Sequence, residues 1–168
     1  MGTISLKDQT LHTYGNLPNI GEKAPNFVAA KSDLSTMSLD SLKNKSVLIN
    51  VYPSIDTQVC FDSVKTFQKA ARETKNLEIL CISMDLPFAL KRISSASHLE
   101  DITFLSDFRN REFGELFGLT IADGSLAGLL ARAVLVLDKK HHVIYTELVA
   151  DVSNPPNYEL AFKALRKA

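Results

Sequence analysis

Apolar residues along this chain gather into two long runs joined by a stretch of helical spacing. Val47, Leu48, Ile49, Val51 and Tyr52 form one run and Leu77 to Met84 (LEILCISM) the other. β-rich runs with little polar alternation are how strands buried on both faces of a parallel sheet read. Pro53 stops the first run, and Asp85 and Pro87 stop the second. Between them Phe61, Val64, Phe67 and Ala71 recur at helical spacing, which predicts a helix opening at about Val59 or Cys60. Two such strands joined by a helix make a right-handed βαβ unit.

Shorter signals surround this unit. Ile4 to Pro18 has the mixed pattern of a hairpin, with Gly15-Asn16 as its turn. Residues 20–45 carry a loop at Gly21, Pro25 and Asn26, a short strand near Phe27 to Ala29 and a brief helical turn after Ser41. Residues 88–99 begin as a helix and become serine-rich at Ser94, Ser95 and Ser97. Thr103 to Leu105 reads as a short strand and Asn110 to Phe117 as a helix closed by Gly118, followed by a glycine-punctuated loop from Asp123 to Gly128. Ala133 to Leu137 and Val143 to Val149 flank DKKHH, a hairpin with His141 and His142 expected to be exposed in its turn. A last helix, from about Asn157 to Arg166, places Tyr158, Ala161, Phe162 and Leu165 on one face. This order predicts an α/β sandwich with a mixed sheet.

Composition narrows the classes of function. With 168 residues, 45% of them apolar, the chain suits one domain over residues 1–168 with a proper core. Lys plus Arg and Asp plus Glu stand at 19 each, so there is no electrostatic footprint for nucleic acid or an anionic membrane surface. No apolar stretch approaches the roughly 20 residues that span a bilayer. The N-terminus lacks a basic segment followed by an apolar core, and two cysteines cannot staple a secreted scaffold, so a reducing cytoplasm is expected. Four scattered histidines and two distant cysteines match no zinc spacing, and no glycine-rich phosphate loop is present, so neither metal nor cofactor is expected.

Cys60 carries the candidate chemistry. The first turn of a helix holds backbone N–H groups without intrahelical partners and the positive end of the macrodipole. A free cysteine is only about 3% thiolate at pH 7, and such positions favour the thiolate. Nucleophilicity falls as the thiol becomes more acidic, with a slope of about 0.45. Most of any catalysis must therefore come from positioning the substrate and from donors aimed at its leaving oxygen. Cys81, mid-strand, reads as a buried inert cysteine.

The spacing Pro53-x-x-x-Thr57-x-x-Cys60 resembles the active-site motif of the peroxiredoxins, and the fuller string PSIDTQVC is similar to their thiol peroxidase branch. GEKAPNF at 21–27, CISMDLPFA at 81–89, LSDFRNREFG at 105–114, IADGSLAGLLARAV at 121–134 and PNYE at 156–159 resemble further segments of that branch, in order. The resemblance implies a thioredoxin-like fold of the peroxiredoxin type, with helices flanking a mixed sheet and an N-terminal β-hairpin. It implies reduction of hydrogen peroxide or organic hydroperoxides through a sulfenic acid on Cys60, with Thr57, Pro53 and Arg132 as site partners. It further implies a homodimer, to which the loop from Asp123 to Leu130 contributes. Phe88, Leu126 and Leu129 would suit an alkyl chain or pack at an interface.

One departure stands out. Most members of that branch carry a resolving cysteine in the helix after DLPFA, where this chain has Ser94-Ser95-Ala96-Ser97-His98. The flanking residues differ as well, which fits natural loss better than an engineered exchange. Serine cannot form the disulfide, so a one-cysteine cycle is expected, with thioredoxin or another external thiol as reductant. The alternatives are a disulfide between Cys60 and Cys81, which needs Cα atoms within about 7 Å, and a non-catalytic redox sensor or binding scaffold. A thiol–disulfide oxidoreductase would carry Cys-x-x-Cys at the helix start, where position 57 is threonine.

Overall fold

A computed structural model describes residues 1–168. Its centre is a seven-stranded mixed sheet in the order β4-β3-β7-β6-β5-β8-β9, beside a separate two-stranded hairpin, β1-β2. The elements are β1 (Thr3–Leu6), β2 (Gln9–His12), β3 (Val28–Lys31), β4 (Thr36–Ser38), β5 (Ser46–Val51), α1 (Gln58–Glu73), β6 (Leu77–Ser83), α2 (Pro87–Ala96), β7 (Thr103–Ser106), α3 (Glu112–Leu116), β8 (Ala133–Leu137), β9 (Val143–Leu148) and α4 (Tyr158–Leu165), with 3-10 turns at Leu39–Leu42 and Gly124–Leu126.

β5 is the strand on which the rest is assembled. All six of its residues are buried, because β6 pairs with it in parallel on one side and β8 antiparallel on the other. The two-residue side-chain period then splits the core in two. Val47, Ile49 and Val51 face one apolar cluster with Leu80, Ile82, Leu135, Phe27 and Phe113. Leu48 and Tyr52 face the other, with Cys60, Val64 and Phe67 of α1, Leu90 of α2 and Ala161 of α4. α1, α2 and α4 thus cover one face, while α3 and the hairpin cover the opposite one. Phe67 meets Tyr158 and Phe162 edge-on at 5.3 and 5.7 Å, which fixes α4 against α1.

Several expected boundaries shift by a residue or two, and two features differ in kind. The hairpin turns at Lys7-Asp8, between β1 and β2, and not at Gly15-Asn16. Lys7 takes the left-handed φ of 55° that this tight turn requires. Gly15 is instead needed where backbones meet, since a Cβ there would lie 2.8 Å from the Gly118 Cα. His141 is buried and not exposed. Its φ of 63° turns the side chain inward, where Nε2 lies 3.1 Å from the Leu42 carbonyl. His142 remains partly exposed.

Candidate active site

α1 begins at Gln58, one or two residues before the expected start, so Cys60 is its third residue and lies in the first turn. The helix starts here because the loop before it is tied down. Asp85, just past the end of β6, accepts hydrogen bonds from Ser54 Oγ, the Ile55 backbone N–H and Ser83 Oγ, each at 2.7 Å. One carboxylate thereby holds the Pro53–Thr57 turn against the sheet. Pro53 is buried at the base of that turn. Thr57 is the N-cap residue with extended backbone but makes no side-chain cap bond. Its hydroxyl donates to the Ser54 carbonyl at 3.2 Å and is exposed, so in this state it serves the loop and not the sulfur.

Arg132 reaches Cys60 from the opposite side. It directly precedes β8, whose pairing with β5 carries it beside the first turn of α1. Nη2 lies 3.2 Å from Cys60 Sγ. Nη2 and Nε both donate to the Val152 carbonyl, at 2.9 and 3.1 Å, so the plane of the guanidinium is fixed. Cys60 is 0% exposed and Arg132 is 2% exposed. A guanidinium donor at this distance in a dry site stabilises negative charge on sulfur. Arg132 Nη1, also buried, has no hydrogen-bond partner. An unpaired buried donor costs about 1–3 kcal/mol, and a catalytic role is one reason to keep one.

Cys81 belongs to the same apolar cluster as Cys60 but not to its polar surroundings. Asn50 of β5 links Cys81 to Ser63 of α1. Its Nδ2 donates to Ser63 Oγ at 3.0 Å and lies 3.8 Å from Cys81 Sγ, while Ser63 Oγ donates to the Cys60 carbonyl at 2.7 Å. Burial pushes the Cys81 thiol up to about 12, opposed by the Asn50 contact. Both cysteines are free thiols.

That shift carries a stability consequence. The folded chain holds the Cys81 proton more tightly than the unfolded chain, whose thiol titrates near 9. Stability from this group is therefore complete below pH 9 and is lost as pH rises toward 12, at up to about 1.4 kcal/mol per pH unit. Urea titrations at pH 8, 9.5 and 10.5 should show a steeper loss for the native chain than for Cys81→Ala. Equal slopes would refute a buried, protonated Cys81.

Ser94 sits half-buried in α2, its hydroxyl 3.5 Å from the Leu99 carbonyl. Leu86 and Phe88, at the start of α2, are 52% and 66% exposed, whereas Leu126 and Leu129 are half-buried. A groove of about 650 Å³ between the second half of α1 and α4, lined by Lys69, Glu73, Phe162 and Arg166 among others, includes neither Cys60 nor Arg132.

Residues 19–161 match the Redoxin family model. The chain belongs to the redoxin family. Within it, the chain is 46% identical to the thiol peroxidase of Mycobacterium tuberculosis (strain H37Rv) over 165 residues, covering 98% of this chain and 99% of that relative. Among solved structures, a peroxiredoxin-like protein from Aquifex aeolicus superposes with a TM-score of 0.92 at 33% identity, covering 98% of this chain and 96% of that one. The thiol peroxidase of Chromobacterium violaceum superposes with a TM-score of 0.90 at 23% identity over 98% and 95% of the two chains. The redoxin assignment and these likenesses establish the thioredoxin-like fold of the peroxiredoxin type and a thiol peroxidase homologue of that type. No helix is long and apolar enough to cross a membrane.

Two contributors to the site were not recognised from the redoxin sequence alone. Asp85 reads in sequence only as a strand terminator, because Ser54 and Ile55, which it holds, lie 31 and 30 positions away. Val152 acts through its carbonyl, for which side-chain identity gives no sign.

Proposed function

We propose that this chain is a thiol-dependent peroxidase in which Cys60 is the nucleophile and Arg132 the group that holds the peroxide. One observation carries the reading: Arg132 Nη2 stands 3.2 Å from Cys60 Sγ while Nη1 is buried and unpaired. The Cys60 thiolate attacks the terminal oxygen of ROOH, forming the S–O bond as the O–O bond breaks. The sulfur is oxidised to sulfenic acid, and the peroxide is reduced to RO⁻, which takes a proton from solvent and leaves as water or an alcohol. Nη1 is the donor suited to the charge developing on the leaving oxygen. Thr57 and Pro53 shape and fix the turn on which Cys60 depends.

The return step uses an external dithiol such as thioredoxin. One of its thiolates attacks the sulfenic sulfur and displaces hydroxide, which takes a proton from solvent to become water, leaving a mixed disulfide. Its second thiolate then attacks the mixed disulfide and releases Cys60 as a thiolate, so the dithiol has given up two electrons and leaves as a disulfide. Ser94 occupies the position of the usual partner cysteine and cannot take part. Cys81, buried mid-strand with its thiol pushed up to about 12, stays protonated and is a poor replacement. Because Cys60 is 0% exposed, the protein reductant acts after a local opening of the first turn of α1. The chain works as one domain over residues 1–168, in a reducing cytoplasm. It pairs as a homodimer near the exposed Leu86 and Phe88, with the loop around Asp123 to Leu130 contributing.

Intact-mass analysis after one equivalent of hydrogen peroxide, with a sulfenic-acid trapping reagent, tests the cycle. One adduct on Cys60, formed equally in Cys81→Ser, is the expected result. Loss of two hydrogens, abolished in Cys81→Ser, would replace the one-cysteine cycle by a Cys60–Cys81 disulfide. A chain that does not react would be the redox scaffold without catalysis.

A further inference from the structure

We propose that the N-terminal hairpin is a positioning element for the Arg132 guanidinium, acting through the Val152 carbonyl; this rests on the reading of Arg132 as the peroxide-holding group. The Val152 oxygen takes two of the five guanidinium donors, Nε at 3.1 Å and Nη2 at 2.9 Å. It sets which edge of the fork faces Cys60 and which nitrogen is left over for a ligand. Position 152 lies beyond β9 and before α4, outside the seven-stranded sheet. What holds it is β1.

Ser5 forms an isolated parallel bridge with Asp151. Its N–H donates to the Ala150 carbonyl at 2.7 Å, and its carbonyl accepts the Val152 N–H at 2.9 Å. Ser5 Oγ adds a bond to the Ala150 carbonyl at 3.2 Å. The Val149 N–H closes the circuit by donating to the Arg132 carbonyl at 3.0 Å. Val152 is 4% exposed and packs in one cluster with Ile4 and Leu11, the inward residues of the hairpin. Main chain and side chain thus both lock residues 150–152 to β1. Without β1, the Val152 peptide would rest on its own short connection, and the guanidinium would lose its fixed plane. A misplacement of about 1 Å at a reacting group can cost on the order of a hundredfold in rate.

Ser5→Pro tests the link, since proline removes the N–H given to Ala150. Ser5 uses both its backbone groups toward Asp151, so this change takes no bond from β2. The direct readout is the Arg132 Nε–Hε signal in NMR spectra, assigned by its loss in Arg132→Lys, and its exchange rate with water. Hε exchange should accelerate by about tenfold or more as the Val152 bond loosens. The kcat/KM for hydrogen peroxide should fall roughly tenfold to a hundredfold. In an Arg132→Met background, Ser5→Pro should change the residual rate by less than about twofold, because coupled residues do not act additively. Leu39→Ala, in the 3-10 turn after edge strand β4, should lower the melting temperature without moving Hε exchange.

Unchanged Hε exchange, or an equal fall in rate with and without Arg132, would overturn the proposal. Should Ser5→Pro not fold, an ester in place of the Val152–Ser153 amide, made by ligating a synthetic C-terminal segment, weakens the same carbonyl and leaves the hairpin intact. It must then give the same exchange and rate changes, and normal values would overturn the proposal. An Arg132→Met protein with the native rate would overturn the Arg132 reading itself, a result distinct from any change in Hε exchange.

Discussion

Cys60→Ser should remove peroxidase activity by at least about a thousandfold while leaving the fold intact. The substitution exchanges sulfur for oxygen in a position that is 0% exposed, so it opens almost no cavity. The serine hydroxyl can accept the Arg132 Nη2 hydrogen bond that the sulfur now receives. Stability should therefore change by no more than about 1–2 kcal/mol, a shift of several degrees in melting temperature for a chain of this size. Activity cannot survive in the same way. A serine hydroxyl is a weak nucleophile without an adjacent general base, and the side chain bonded at position 60 is Arg132, a donor that cannot take its proton. The other thiol, Cys81, is pushed up to about 12 and remains protonated at neutral pH. Peroxide consumption measured with excess dithiol, alongside a circular dichroism melt, checks both halves. Residual activity above a tenth of native with an unchanged melt would place the nucleophile elsewhere.

Why Cys60 could be picked out from the sequence, and Val152 could not, follows from what each contributes. The β5–α1–β6 unit is dictated by side-chain pattern: a run buried on both faces, a proline stop, then helical spacing. A cysteine at the start of such a helix has a chemical meaning that can be read in one dimension. The α4 face and the β8–β9 hairpin were legible for the same reason. The first hairpin is hidden in sequence because its turn is made by Lys7 in a left-handed conformation, where glycine or asparagine is the usual signal. His141 was expected outside because a turn histidine is usually solvated, but its positive φ redirects it to the Leu42 carbonyl. Asp85 and Val152 hold the site through bonds to residues about 30 and 20 positions away. Such bonds depend on which strands become neighbours, and the order β6-β5-β8 is a property of the sheet and not of any local stretch.

Arg132→Met should lower kcat/KM for hydrogen peroxide by roughly a hundredfold to a thousandfold with little change in stability. On stability, two terms oppose each other. Removing the guanidinium leaves the Val152 carbonyl without its two donors, a loss of about 1–3 kcal/mol for a buried acceptor. The same change relieves the desolvation of a buried cation whose Nη1 has no partner, which is worth several kcal/mol in similar cases. Methionine has the length and flexibility to fill the space, so the net change should stay within about 2 kcal/mol. On activity, nothing offsets the loss. The donor at the sulfur and the unpaired Nη1 donor disappear together, and with Cys60 0% exposed little water can replace them. Arg132→Lys separates charge from geometry. An ammonium group retains the cation but cannot span the Val152 carbonyl and the Cys60 sulfur in one plane while offering a third donor. The lysine variant should consequently recover only a small part of the lost rate. Recovery to within threefold of native would show that charge alone suffices, and that the fork held by Val152 is not required for catalysis.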